Sequence, residues 1–486
     1  MVNVILSTTV FIIIILVIMA GLLICKERDP NVLLIVVDDL GYADLSCSGL
    51  AYDVRTPNID RLAESGIRFT QAYATSPICS PSRAAIITGC YQQRWGTYWY
   101  GGPGLHKKEF LTIAEILKEK DYMTGYIGKV HYGNHDSDTS HRSFPLNHGF
   151  DYFFGHTSAR KHYFNHKQEI EDAFLKAREE SGKKGQSLRQ QPLWINYKKA
   201  ETIEFTTSLF GNEAIDFIET YKHKKFFLQL SFNAVHNFTH QLPQNYLQDH
   251  SLKGYHDWDP ATEDYYEWYV AGRKPNNPEG REHYLGQLHY LDKTIGSVLD
   301  YLKQEGLEKN TMVIFISDNG GSTPIYANNY PLRGSKYVLY EGGIRVPMII
   351  SYPGEYRADL VVGNVVSAMD ILPTICAATR SQIPESIDGI DLSPLLKGEN
   401  DELEHNALFW DTRQETAARI GDHKIRTASD DANAKYEMVK IELGEFLYDL
   451  KADPGELINI KDSVPVTYSK IEPEFIKWKK QLGIEK

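Results

Sequence analysis

Asn31-Val32-Leu33-Leu34-Ile35-Val36-Val37-Asp38-Asp39 is an unbroken apolar run that ends on two adjacent acids. Bounded by Pro30 before and charge after, it reads as a strand buried on both faces, as in an α/β sheet. Like charges so close resist joint ionisation unless something pairs them. A bound divalent cation is the simplest partner, and oxygen-only ligands point to Ca2+ or Mg2+. A solvated strand end with a helix-capping Asp fits the same residues.

Working outward, the run Met312 to Ser317 leads into Asp318-Asn319-Gly320-Gly321, a second apolar strand ending on oxygen donors at a glycine turn. Two such pairs weaken the capping alternative, because sites in open α/β sheets gather beyond the carboxyl ends of strands. Between them lies Cys79-Ser-Pro-Ser-Arg83-Ala-Ala-Ile-Ile-Thr88-Gly89. Pro81 suits a first helical turn, so Cys79 is expected at a helix N-terminus with Arg83 one turn on. That position favours an anion or a negatively charged nucleophile; a buried cysteine before an ordinary helix is the plainer alternative. Tyr126-Ile-Gly-Lys129-Val-His131 is predicted as a strand with Lys129 and His131 on one face, where they suit charge stabilisation and proton transfer. Phe226 to Phe232 is a further buried strand running toward His236, with His240 four residues beyond. Lys336, after Arg333-Gly334 and close to the second acidic turn, is a candidate contact for an anion or a leaving group.

The chain has 486 residues and a formal charge of -12. That length suggests more than one domain, and the acidic balance argues against a nucleic-acid partner. An anionic substrate would have to be caught by a local cluster of cations. Val4 to Ile24 is nearly continuous hydrocarbon, suited to a signal-peptide core or a membrane anchor, so the protein is expected to be exported: periplasmic, secreted or tethered. Cleaved, lipidated (at Cys25) and retained forms stay open. Besides Cys25 and Cys79, the odd trio Cys47, Cys90 and Cys376 fits buried thiols or at most one bridge. Asn237-Phe238-Thr239 matches a glycosylation sequon, read as coincidental beside His236.

Helices are predicted over Asn58 to Gly66, Thr112 to Lys120, Thr206 to Thr220, Leu285 to Leu302 and Ile471 to Gln481. Ile67 onward and Met348 to Ser351 read as strands. The glycine-closed loop Gln92 to Gly104 carries Trp95, Tyr98, Trp99 and Tyr100, which either pack in the core or stack on sugar rings. His135 to Ala200 is irregular and rich in histidine without a zinc spacing, so a substrate-facing insertion and a solvated excursion both fit. The last hundred residues, with short strands at Ala407 to Trp410 and Thr416 to Ile420, read as a smaller α+β subdomain.

Taken in order, Pro-Asn-Val…Asp38-Asp39, Cys79-Ser-Pro-Ser-Arg83…Thr88-Gly89, Ile-Gly-Lys129-Val-His131, Ser-Asp318-Asn319-Gly-Gly, Leu-Arg-Gly-Ser-Lys336 and Glu-Gly-Gly-Ile-Arg-Val-Pro resemble the formylglycine-dependent (type I) sulfatase family. The resemblance runs from about Pro30 to about Asn459. It implies an alkaline-phosphatase-like α/β fold: a large mixed sheet between helices plus a small four-stranded antiparallel C-terminal sheet. The expected division is a leader at 1–28, a catalytic domain at 29–385 and a C-terminal subdomain at 386–486. By the same resemblance, a maturation enzyme would oxidise Cys79 to formylglycine (3-oxoalanine), whose hydrated aldehyde is the nucleophile. Asp38, Asp39, Asp318 and Asn319, with residue 79, would hold one Ca2+. Arg83 and Lys129 would orient and neutralise the hydrate and sulfate, and His131 would be the base that breaks down the sulfated hydrate. His236 and Lys336 would meet the sulfate and protonate the departing oxygen.

The family often has Lys-Trp-His and His-x-Pro-His where this chain has Lys129-Val130-His131 and His236-Asn-Phe-Thr-His240; the catalytic positions survive in both, and the changes bear on the substrate pocket and on whether His240 also contacts substrate. Export, the loop aromatics and the polar insertion favour a sulfated carbohydrate over a small aryl sulfate. Competing readings are a phosphodiesterase or phosphonate monoester hydrolase of the same superfamily and an inactive sulfated-glycan binder.

Overall fold

The computed structural model describes residues 29–133, 138–158, 162–164, 192–200, 204–252, 259, 262–263, 277–429 and 441–483. The leader, with its tether and cleavage readings, and half of the histidine-rich stretch lie outside them. No helix among the described residues is long and apolar enough to cross a membrane.

In chain order the strands are β1 (Asn31–Val37), β2 (Ile67–Tyr73), β3 (Met123–Lys129), β4 (Tyr152–His156), β5 (Leu193–Ile195), β6 (Lys198–Ala200), β7 (Phe226–Ser231), β8 (Thr311–Ser317), β9 (Arg345–Ser351) and β10 (Leu360–Ser367). They form one mixed sheet in the order β10-β2-β9-β8-β1-β7-β3-β4-β5-β6. The principal helices are α1 (Pro57–Glu64), α2 (Cys79–Thr88), α3 (Ile113–Lys118), α4 (Thr206–Tyr221), α5 (Gly280–Gln304), α6 (Ile371–Ala378) and α7 (Pro465–Gln481). The predicted boundaries hold to within a few residues for α1, α3 and α4, while α5 and α7 begin earlier. At α3, Thr112 accepts from Glu115 N at 3.1 Å and Glu115 returns the bond to Thr112 N at 2.8 Å, a capping box that sets where this short helix starts.

The apolar run of β1 is buried throughout because both faces of the sheet are covered. Val32, Leu34 and Val36 pack with Ala84, Ile86 and Ile87 of α2 and Leu372 of α6. Leu33, Ile35 and Val37 pack with Ile59 of α1, Phe210 of α4 and Leu291 of α5. Strand alternation thus splits one hydrophobic segment between two cores.

Register places the chemistry. β8, β1, β7 and β3 are neighbours and mutually parallel, with Val37 beside Ser317, Val36 beside Ser231 and Gly128 also beside Ser231. Their carboxyl ends therefore release Asp38, Asp318 and Lys129 on the same rim of the sheet. A second sheet, β11 (Ala407–Asp411), β12 (Glu415–Ile420), β13 (His423–Ala428) and β14 (Gly444–Asp449), is antiparallel throughout. The C-terminal helix α7 covers it through Ile471, Phe475 and Trp478.

One local expectation fails. β3 ends at Lys129, and His131 lies past it in the left-handed region at φ 54°, so alternation along a strand is not what brings the two side chains together. The aromatic loop divides: Trp95 and Tyr98 are buried, Trp99 is half-buried and Tyr100 is 48% exposed. Cys47, Cys79, Cys90 and Cys376 are all free thiols.

Candidate active site

Cys79 is the first residue of α2, and its Sγ lies 3.3 Å from His131 Nδ1. Burial pushes this thiol up, the effect outweighing the nearby Lys129 and Lys336. As encoded, residue 79 is a protonated thiol rather than a thiolate nucleophile. One turn on, Arg83 is fully buried and spends its guanidinium on fixed partners. Nε donates to Asp318 Oδ2 at 2.6 Å, and one terminal nitrogen donates to Ser231 Oγ at 2.6 Å and to the Lys129 carbonyl at 3.0 Å. A planar, multi-donor side chain is what such a junction of three strand ends requires.

The acids are all buried. Lys129 Nζ donates to Asp38 Oδ2, while Lys336 Nζ lies 2.7 Å from Asp39 Oδ1 and 2.8 Å from Asp39 Oδ2. His236 Nε2 is 3.6 Å from Asp39 Oδ2. Asn319 Nδ2 donates to Asp39 Oδ1 at 2.8 Å. Asp39 itself sits at φ 60°, a sparsely populated conformation for a non-glycine residue and, like that of His131, one that gathers at functional sites. Gly320 is required here: a Cβ would stand 2.0 Å from the Gly342 carbonyl oxygen, so any side chain would push apart the turn bearing Asp318 and Asn319.

Electrostatics within this cluster are uneven. Burial pushes the Asp38 carboxyl up, but Lys129, His236, Arg83 and Lys336 outweigh it and hold it well below the usual range. Asp39 is raised by burial and by the Asp38 carboxylate, despite Lys336. Asp318 is pushed up to about 7 by burial and by Asp38 and Asp39, against Arg83. Burial, with Lys129 and Arg83, holds His131 well below its ordinary value, so its imidazole is neutral.

A cation fits these donors. Asp38 Oδ1 and Asn319 Oδ1 are buried without a hydrogen-bond partner among the described residues, and ligand atoms of Asp38, Cys79 and Asp318 lie within 4.8 Å of one another. Crowded carboxyls that resist ionisation and orphaned oxygens are both relieved by a hard divalent ion.

All ten residues singled out from sequence therefore meet in one place. Missed were Ser231, which anchors Arg83, and Ser158, whose Oγ is buried without a partner among the described residues just after Thr157, the acceptor of the His131 N–H at 3.0 Å. Neither carries a sequence signal, because serine at a strand end is commonplace. His240 is buried with its ring 5.6 Å from Phe238.

Known proteins resemble this chain over most of its length. The sulfatase family model matches residues 30–381. The chain belongs to the sulfatase family. A second family model, that of the N-sulphoglucosamine sulphohydrolase C-terminal region, matches residues 334–481. Human arylsulfatase D is 32% identical over 448 residues, covering 78% of this chain and 70% of that protein. Bovine arylsulfatase A is 29% identical over 498 residues, covering 94% and 87%. Among solved structures, Ps i-CgsB in complex with k-i-k-neocarrahexaose superposes with a TM-score of 0.75 at 28% identity, covering 93% of each chain. The sulfatase fold here is thus alkaline-phosphatase-like, and the activity class is sulfate ester hydrolysis.

Proposed function

We propose that this sulfatase cleaves sulfate esters of carbohydrates, with Cys79 converted to formylglycine by a maturation enzyme and one Ca2+ held by Asp38, Asp39, Asp318 and Asn319. The observation that carries the reading is the meeting of residue 79, four oxygen-bearing side chains and three buried cations in one cluster. Formylglycine at position 79 supplies a hydrated aldehyde oxygen as the nucleophile. Ca2+, when held by those four side chains, would supply Lewis-acid stabilisation of negative charge on the bound ester.

The chain's own residues do the rest. Lys129 and Lys336, fully desolvated, offset charge on sulfate oxygens far better than they would in water. Arg83, locked by Asp318 and Ser231, holds the end of α2 against the strand ends and so fixes residue 79. His131, neutral and beside residue 79, takes a proton from its oxygen. His236, with Nε2 3.6 Å from Asp39 Oδ2, gives a proton to the departing alcohol oxygen. The carbohydrate assignment draws on the likeness to Ps i-CgsB, whose structure contains k-i-k-neocarrahexaose, and on half-exposed Trp99 and Tyr100.

Mass spectrometry of the residue-79 peptide, followed by desulfation assays on sulfated oligosaccharides, aryl sulfates and aryl phosphodiesters, tests the proposal. Formylglycine and oligosaccharide desulfation are expected, with Cys79→Ala inactive but folded. Turnover confined to aryl or steroid sulfates would sink the carbohydrate assignment, and phosphodiester rates above sulfate rates would overturn the reaction.

A further inference from the structure

Tyr163 lies between β4 and β5, 73 residues before His236 in the chain. It is fully buried, and its hydroxyl donates to the His236 carbonyl oxygen at 2.8 Å, with the Asn233 carbonyl at 3.2 Å. Its own main chain is clamped at both ends. Its N–H donates to Gln241 Oε1 at 2.9 Å, and its carbonyl accepts from Thr206 N at 2.8 Å. Its ring stacks on Phe205 with centroids 5.6 Å apart.

The segment it touches has a second anchor. Val235 N donates to the Asp38 carbonyl at 2.8 Å, and Asp38 N donates to the Ala234 carbonyl at 2.9 Å, so the residues just before His236 are stitched to the end of β1. Thr206 Oγ1 also donates to Asn233 Oδ1 at 3.2 Å. After His236 the chain leaves β1, and the Tyr163 hydroxyl grips its carbonyl at that exit.

We propose that Tyr163 is a positioning residue for His236: its hydroxyl fixes the main chain from which the imidazole reaches the departing oxygen. The inference rests on the role given to His236 above. In that step sulfur gains a bond to the residue-79 oxygen as its bond to the ester oxygen breaks; the electron pair of the broken bond goes to the alcohol oxygen, which takes the imidazole N–H proton, and His131 takes the proton of the attacking oxygen. Proton transfer needs the donor within hydrogen-bond reach, so a displacement of about 1 Å is enough to impair it. Without the hydroxyl, the buried His236 carbonyl loses this donor and the exit of the segment loosens.

The test compares wild type, Tyr163→Phe, His236→Ala and the double variant, all in the mature enzyme, on sulfate esters graded from nitrophenols to sugar alcohols. Poor leaving groups depend most on the acid. Tyr163→Phe is expected to lose on the order of tenfold in kcat on sugar sulfates, part of the roughly 100- to 10,000-fold that positioned proton transfer supplies. The loss should shrink toward nitrophenyl sulfate, His236→Ala should show the same trend more steeply, and the double variant should be no worse than His236→Ala. A second readout is free of turnover: in Cys79→Ala protein, the His236 side-chain NMR resonance, identified by its loss in His236→Ala, should move on Tyr163→Phe. Equal slowing of every ester, multiplicative losses in the double variant, or an unmoved resonance would overturn the positioning role. A flat leaving-group profile in His236→Ala would instead overturn the acid assignment itself. Should Tyr163→Phe fail to fold, Gln241→Met, which releases the Tyr163 N–H, must reproduce the leaving-group trend or the inference falls.

Discussion

Lys424→Met strikes a buried junction that braces the site from the C-terminal sheet. Lys424 Nζ lies 3.0 Å from Glu341 Oε1 and 2.9 Å from Glu456 Oε1, all three side chains fully buried. Tyr73 donates its hydroxyl to Glu341 Oε2 at 2.6 Å, and Glu341 N donates to Glu456 Oε2 at 2.6 Å. Glu341 heads the turn whose Gly343 carbonyl accepts from Gly320 N at 2.9 Å, one residue past Asn319. Methionine keeps the volume of the lysine stem but removes the cation that bridges the two carboxyls, leaving Arg345, 3.6 Å from Glu341 Oε2, on the Glu341 side only. Removing one partner of a buried pair costs about 3–5 kcal/mol.

The cost should depend on pH, and its sign follows from Glu456. Burial pushes Glu456 up from 4.5 to about 7, with Glu341 adding to the rise and Lys424 opposing it. A raised folded value means that the folded state keeps a proton the unfolded chain has released, so its contribution is complete below 4.5 and is lost as pH rises toward about 7. Without Lys424 the folded value climbs further, so the loss extends to higher pH. Urea unfolding followed by tryptophan fluorescence, with Trp410 and Trp478 as reporters in this region, should show the full deficit at about pH 8 and a smaller one near pH 5.5. A deficit below about 1 kcal/mol at pH 8, or an equal deficit at both values, would rule out charge pairing by Lys424 as a brace of this junction.

Calcium at about a hundred times its Kd should stabilise the protein by about 2.7 kcal/mol, seen as a fall in Tm on adding a chelator. Asp39→Asn should abolish that increment, and a chelator-insensitive wild type would count against the metal assignment. His405 Nε2 lies 2.8 Å from Asp370 Oδ1; burial pushes His405 down, but Asp370 outweighs it and the net shift is upward from 6.5. Its stabilising contribution is therefore present below 6.5 and lost as pH rises through the folded value. A plot of Tm against pH should flatten over that window in His405→Gln, and an unchanged slope would remove the pair from the account.

What the amino-acid order determined by itself was local. Val32 to Val37 could only be a strand covered on both sides, and Asp38-Asp39 and Asp318-Asn319 at the ends of such runs announced an oxygen-donor site, because buried acids must be paired. Cys79-Ser-Pro-Ser-Arg83 carried its own helix start and the family's signature. His131 shows the limit even at short range: alternation put it beside Lys129 on a strand, whereas a left-handed turn after the strand does so. Tertiary structure alone decided the rest. The order β8-β1-β7-β3 brings together acids separated by 280 residues along the chain (Asp38 to Asp318), Ser231 becomes the anchor of Arg83, and Tyr163 leaves an aperiodic excursion to hold His236. A hydrogen bond between distant segments leaves no periodicity in either one; it exists only once packing fixes where both chains run.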